Sequence, residues 1–473
     1  MALIETAGRV LPPRTVEWLA MLVRQLAEVI RGEDETAAAQ RMALIAFGIR
    51  VVSAAIAFAS QIVLARLMGD FEYGIFVFVW VLAVILGNLS CLGFHTAVIR
   101  FLPQYRAEGA DDAIRGLAVT ARIFALLSAT LIAATGIAAL YLLGDRIENY
   151  YVTPLFIGAF ALPMIALGDV LDGTARANGW AVYALSPTYI VRPLLILIFV
   201  VGAMMLGLHT DARTALLATL AAAYLTTVVQ FVVITRKLSR RFMAGALKIH
   251  FRTWIVVALP IFLIEGFYFM LTNADVIIVG FYLPPEKVAV YFAAAKTMAL
   301  VHFVFFAVKA AAAPRFSSLV SDGDAPGLAK FARQAVHWTF WPSLAVGTAV
   351  IAAGPFLLSL FGPHFGDGHP VMIILLAGII AKATVGPGEV LLTMVGEQKI
   401  CAAIYAGALA ANIGLNVLLI PIYGIAGAAF ATMGAMMIEA LLLHLIVRRR
   451  LGILLFIGAR SPGTPVDGRT RVG

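Results

Sequence analysis

Residues 60–79 read "SQIVLARLMGDFEYGIFVFV" and residues 274–294 read "ADVIIVGFYLPPEKVAVYFAA". Each passes from a polar residue through an aliphatic stretch into an acidic turn, then to a small residue and aromatics. Gln61 falls where Asp275 falls, and Tyr73-Gly74 falls near Val288-Ala289. Two distant parts of the chain therefore turn in a like manner, which suggests a molecule of two related halves.

Composition says what surrounds those halves. Of 473 residues, 62% are hydrophobic and 13% charged, whereas a soluble domain carries about 25% charged residues. No protein core buries so large an apolar share, so the solvent is lipid. A helical span needs about 20 mostly apolar residues. Twelve segments qualify: 42–67, 74–99, 116–142, 151–174, 183–208, 213–236, 254–282, 288–313, 334–361, 370–396, 399–420 and 423–447. They are rich in Ala, Leu and Ile without alternation, which excludes a β-barrel. The expected fold is an all-α polytopic membrane protein, with twelve spans in two six-helix lobes around a central cavity.

The expected domains are a cytoplasmic amphipathic segment 1–41, an N-lobe 42–236 (spans 1–6), a basic connection 237–253, a C-lobe 254–450 (spans 7–12) and a disordered tail 451–473. Residues 14–31, "RTVEWLAMLVRQLAEVIR", put Val16, Leu19, Val23, Leu26 and Ile30 at helical spacing with charges opposite. That suits a helix lying on the inner leaflet; the other reading is a true start at Met42. The tail after Gly458 is rich in Gly, Pro and Arg, a composition that favours disorder.

The net charge of +9 is a signal of topology and not of nucleic acid. Lys and Arg crowd the N-terminal segment, "RKLSRR" at 236–241 and the tail, while the opposite connections hold only Arg66, Arg146, Arg213 and Lys287. The positive-inside rule puts both termini in the cytoplasm. Cys91 and Cys401 lie in separate apolar runs and suggest neither a disulfide nor a metal site. No cofactor is expected. The sequence holds no Walker motif, nucleotide-binding glycine loop or HExxH cluster, which excludes an ATPase or a metallohydrolase of those kinds.

At four places the residues resemble bacterial polysaccharide flippases of the MOP transporter superfamily. They are "RLMGDFEYGIF" (66–76), "CLGFHTAVIRFLPQY" (91–105), "LPIFLIEGFYFMLTNADVIIVGFYLPPEKVAVY" (259–291, with Pro260 and Asp275) and "LNVLLIPIYGIAGAAFAT" (415–432, with Asn416, Pro421, Gly424 and Gly427). Ala289 departs from the glycine usual there. The resemblance covers about residues 42–450. It implies a carrier that moves undecaprenyl-diphosphate-linked oligosaccharide from the inner to the outer leaflet of the bacterial inner membrane, for exopolysaccharide or lipopolysaccharide. Its partners would be that anionic lipid-linked glycan, membrane lipid, and the polysaccharide polymerase and export machinery.

Such cargo needs a hydrated cavity with fixed positive charge. At 1.5 Å rise per residue, Arg192 lies about 14 Å into span 5, Lys382 about 18 Å into span 10, Lys296 about 12 Å into span 8 and Arg50 about 12 Å into span 1. A cation at such depth costs roughly 3 kcal/mol and faces protein or water. Each is therefore a substrate-binding candidate or a strut paired to a buried acid. Arg122 and Lys309 lie near enough to an inner end to snorkel. Gln61, Ala54 and Ala57 share the helical angle of Arg50, giving span 1 a small, polar face. Pro187 and Pro193 flank Arg192 and predict a kink.

Among buried acids, Glu265, Asp275 and Glu389 are the candidates for ion or proton coupling. Glu439 lies nearer its span end, and Asp172 is spaced to pair with Arg176 on one helix. In "KATVGPGE" (382–389), Lys382 and Glu389 are two turns apart and Gly-Pro-Gly predicts a kink between them. Either this face lines the cavity, with Lys382 on the diphosphate, or the lysine pairs with an acid on another span. Two rival functions remain: a MATE-like cation or drug antiporter, which a cationic cavity disfavours, and a glycan polymerase or ligase. The short connections "GDRIENYY" and "GLHTDAR" leave little room for the latter's outward chemistry.

Overall fold

The computed structural model describes residues 35–242 and 245–458. The readings of 14–31 and of the tail beyond Gly458 lie outside them. Among the described residues the chain is helical and holds no strand. Ten helices are long and apolar enough to cross a membrane, and the bent pair Asn149–Ala159 and Leu162–Ala177 makes an eleventh. The first of these, Gly48–Ser90, is itself two spans: its backbone leaves helical geometry at Gly69, with φ 76° and ψ 171°. With that division the twelve expected spans are all present.

Local chemistry explains the joints. Asp211 caps span 6 (Ala212–Arg241) by accepting from the Thr214 N–H at 2.9 Å, and Asp324 caps span 9 (Ala325–Ala352) through the Gly327 N–H, as short acidic side chains do at helix starts. Span 5 carries a π-helical turn at Pro187–Val191 between Ala181–Ser186 and Arg192–Met205, where two prolines remove ladder donors. Span 7 is Phe251–Leu271 followed by Ala274–Tyr282, broken at Thr272-Asn273.

Span 10 breaks outright within "KATVGPGE". Its helix His369–Ala383 ends, Gly386 takes φ 60°, and a short helix resumes at Gly388–Met394. A break strands carbonyls that need donors. The chain supplies one from beyond span 12 (Ile425–Leu451), where the Ile457 N–H donates to the Thr384 carbonyl at 3.0 Å. Ile453 and Leu455 of that return segment are buried, and the Leu455 carbonyl lies 2.7 Å from His444 Nδ1. Residues 452–458 are thus packed, so the disorder expected from 451 onward does not apply to them.

Spans 1–6 pack chiefly among themselves, as do spans 7–12. The two lobes meet where span 8 (Pro285–Ser321) crosses spans 1 and 2, and where span 7 meets Phe94–Ala107. At one end of the bundle the lobes close in a seam. There Arg66 Nε donates to the Leu360 carbonyl at 2.6 Å, and Asp70 Oδ2 lies 2.8 Å from His364 Nδ1. Tyr73 packs against Phe292 and Phe365. A Cβ on Gly74 would lie 1.8 Å from the Pro285 carbonyl oxygen, so only glycine allows this approach.

The likeness between the two turns has a structural counterpart with a shift. Tyr73 donates to Gln61 Oε1 at 2.8 Å, and Tyr291 donates to Asp275 Oδ2 at 2.5 Å. The phenols serve equivalent acceptors from different positions, since Tyr291 stands two residues beyond Ala289.

Candidate functional site

Away from the seam the lobes part around a cavity of ≈ 510 Å³. Arg50, Ala54, Ala57 and Gln61 line one wall, as their helical spacing requires. Lys296, His302 and Phe306 of span 8 face them, and Tyr189 and Pro193 come from the kinked span 5. A second cavity of ≈ 480 Å³ lies within the C-lobe and shares Lys296, Phe292 and His302 with the first. Asp275, Lys309, Lys382, Asn412, Thr432 and Glu439 also line it.

The Arg50 guanidinium carbon sits 4.5 Å from the Tyr189 ring centroid and 5.9 Å from that of Phe306. Lys296 Nζ is 4.9 Å from the Phe292 centroid. Ring faces attract such cations without neutralising them. Among the described residues, neither Arg50 nor Lys296 forms an ion pair. Two cations therefore face one cavity without an ion pair among the described residues, and Asp275, in the second cavity that Lys296 also lines, is the acid that acts on the lysine.

The other two deep cations are spent on the protein itself. Arg192 is buried inside the N-lobe, with Nε and Nη2 each donating at 3.4 Å to Thr226 and Thr227 of span 6. It lines neither cavity, although the neighbouring Tyr189 and Pro193 line the first. Its face of the helix turns inward to span 6. Lys382 does line the C-lobe cavity, yet its Nζ lies 2.8 Å from Glu439 Oε1, whose side chain is 1% exposed.

Lys309, expected to snorkel, instead pairs with Glu389 across spans 8 and 10. Both of these lysine–carboxylate pairs join different spans. "KATVGPGE" thus carries two charges because each meets an opposite charge elsewhere, and not because they share a face. Arg122 does not snorkel either: Nη1 donates to Thr235 at 3.0 Å inside the N-lobe.

Glu265 accepts from Thr96 Oγ1 at 2.8 Å and lies 3.1 Å from His95 Nε2. His95 follows the break at Leu92-Gly93 in span 2, where both residues have positive φ. Asp275 is held by Tyr291 and by the Val276 N–H at 2.9 Å. Asp172 lies 3.8 Å from Arg176 and accepts from Gln230 at 3.3 Å. The described residues contain no group of three or more His, Cys, Asp or Glu arranged to hold a metal ion. Tyr189 and Tyr291 gave no signal in the sequence beyond their nearness to Arg192 and Ala289, because aromatic residues are plentiful throughout.

Comparison with known families settles the lineage. The family model described as polysaccharide biosynthesis protein matches residues 41–320. The chain belongs to that family. The MatE family model matches residues 260–418, and together with the fold the two matches make the chain a polysaccharide flippase-like member of the MOP superfamily of transporters. A search of curated proteins by sequence finds no match.

Among solved structures, the fold is similar to the inward-facing conformation of a multidrug resistance MATE family transporter, with TM-score 0.71 at 15% identity, covering 85% of this chain and 94% of that one. The outward-facing conformation of a multidrug resistance MATE family transporter gives TM-score 0.62 at 17% identity over 90% and 97%. A MOP superfamily transporter from Pyrococcus furiosus, described by the reverse polarity of its binding pocket, gives TM-score 0.62 at 17% identity over 90% and 97%.

Proposed function

We propose that the protein carries an undecaprenyl-diphosphate-linked oligosaccharide from the inner to the outer leaflet by alternating access, in polysaccharide assembly. The observation that supports this is the pair of cations, Arg50 and Lys296, on opposite walls of one cavity between the lobes, neither of which forms an ion pair among the described residues. A diphosphate is a dense anion, and cations that line a cavity between spans without a salt-bridge partner gain from meeting one. The family match supports a lipid or glycan cargo. Glu265 and Asp275 stand at the lobe contact and in the C-lobe cavity as the groups to exchange a coupling proton or ion. The product would pass to a polymerase and export machinery.

Reconstitution in vesicles tests this. Lys296→Gln and Arg50→Gln should each slow leaflet transfer of lipid-linked oligosaccharide at least tenfold at normal protein abundance, and Lys296→Arg should retain part of it. Full transfer by both glutamine variants would remove the cavity from the mechanism. The second reading, a cation or drug antiporter, is favoured by the MatE match at 260–418. It predicts the opposite sign: removing either positive charge should speed efflux of a cationic dye.

The proposed setting is the bacterial inner membrane with both termini cytoplasmic. Compartment reporters fused at 364–368 should then read periplasm, and fusions at 240–241 cytoplasm. A cytoplasmic signal from 364–368 would invert the assignment.

A further inference from the structure

A third cavity, a groove of ≈ 580 Å³, lies on the far side of span 2 from the central cavity. Phe78, Leu82 and Leu86 of span 2 face it, while Trp80, Val81 and Val84 of the same helix face the central one. Spans 3 and 4 form its opposite wall, where Gly136 leaves open space and Gly158 lets span 4 pack close on Val79, and the end of span 7 (280–284) closes one side. Its apolar length runs beside helices that cross the bilayer, so the groove is filled by lipid chains or by nothing.

Its mouth is polar. Arg146 and Glu148, both exposed, line it at the connection between spans 3 and 4. Among the described residues neither forms an ion pair. The Tyr151 side chain also lines the groove; it is 7% exposed and its hydroxyl has no hydrogen-bond partner among the described residues. A buried hydroxyl left unpaired costs about 1–3 kcal/mol, and tyrosine at the membrane interface normally finds a polar group there. Apolar space, a positive group, a negative group and an idle donor thus line one groove at the connection between spans 3 and 4, with the Glu286 carboxylate also acting on the Tyr151 hydroxyl.

We propose that this groove binds one acyl chain of a zwitterionic aminophospholipid, with its phosphate on Arg146 and the Tyr151 hydroxyl and its ammonium on Glu148. An anionic phospholipid or a prenyl phosphate offers Glu148 no cation and meets like charge there, so the zwitterion is the complementary head. Because Gly280 of span 7 lies against Phe78 in the groove wall, a lipid in this place touches both lobes beside their seam. The site is independent of the cargo and holds whether or not the transport reading stands.

Native mass spectrometry of the detergent-purified full chain tests it, with phosphatidylethanolamine, phosphatidylglycerol and undecaprenyl phosphate titrated in turn. Wild type should retain one phosphatidylethanolamine per chain, at least tenfold more tightly than either other lipid. Gly136→Trp should abolish that adduct, since a Cβ at Gly136 meets nothing within 4 Å and the indole would fill the groove. Arg146→Gln and Glu148→Gln, at exposed positions that leave folding intact, should each weaken it at least threefold. Equal retention of the three lipids would overturn the headgroup assignment. A wild-type adduct in a folded Gly136→Trp, or in both glutamine variants, would overturn the site.

Discussion

Glu439→Gln should remove most of the folded protein. Lys382 lies 2.8 Å from this carboxylate, and the two side chains are 12% and 1% exposed. Deleting one partner leaves the other charge buried without compensation, which costs about 3–5 kcal/mol, a large part of a typical folding free energy of about 5–15 kcal/mol. Lys382→Gln should do the same, while Lys382→Gln with Glu439→Gln should restore abundance, because two neutral amides can hydrogen-bond where two charges stood.

Monodisperse yield in size-exclusion chromatography reads this directly. Normal yield of Lys382→Gln with transport abolished would instead make the lysine a cargo ligand, a role its place in the C-lobe cavity permits. Lys309 and Glu389 form the second cross-span pair, and the same sign is expected there.

Gly74→Ala should unseat the seam between the lobes. The added carbon would lie 1.8 Å from the Pro285 carbonyl oxygen, and the atoms it meets are backbone. A close-packed interior has no slack to absorb such an overlap, and backbone cannot rotate away as a side chain can. The lobes must part at that end. A cysteine placed at Ala289, buried behind the seam, in a chain whose Cys91 and Cys401 are replaced by alanine, should react with a membrane-impermeant maleimide at least tenfold faster in the Gly74→Ala background. Equal labelling would show that the seam tolerates the carbon. Transport should fall with the loss of closure, since a carrier open at both stages cannot alternate.

The number and order of spans were legible because lipid imposes a simple rule: a run of apolar residues long enough to cross must cross as a helix. Irregular backbone beside Pro187 and within "KATVGPGE" was legible too, since proline and glycine act through their own backbones, although the form it takes in span 5, a π turn at Pro187–Val191, was not. The wall of Arg50, Ala54, Ala57 and Gln61 followed from helical angle within one span. Sequence also exposed the two like turns, though not that Tyr73 and Tyr291 would serve them from different positions.

What sequence could not decide was which way a deep charge faces and what it meets. Arg192 and Lys296 sit at similar depth, yet one turns into span 6 and the other into the cavity. Sequence left Lys382 open between cargo and an acid on another span and put Lys309 at snorkelling depth; spans 12 and 10 bring Glu439 and Glu389 against them. Position along a helix gives depth in the membrane, because the rise per residue is fixed. Azimuth and partner come from how twelve helices pack, a sum of many weak contacts that no segment of the sequence contains.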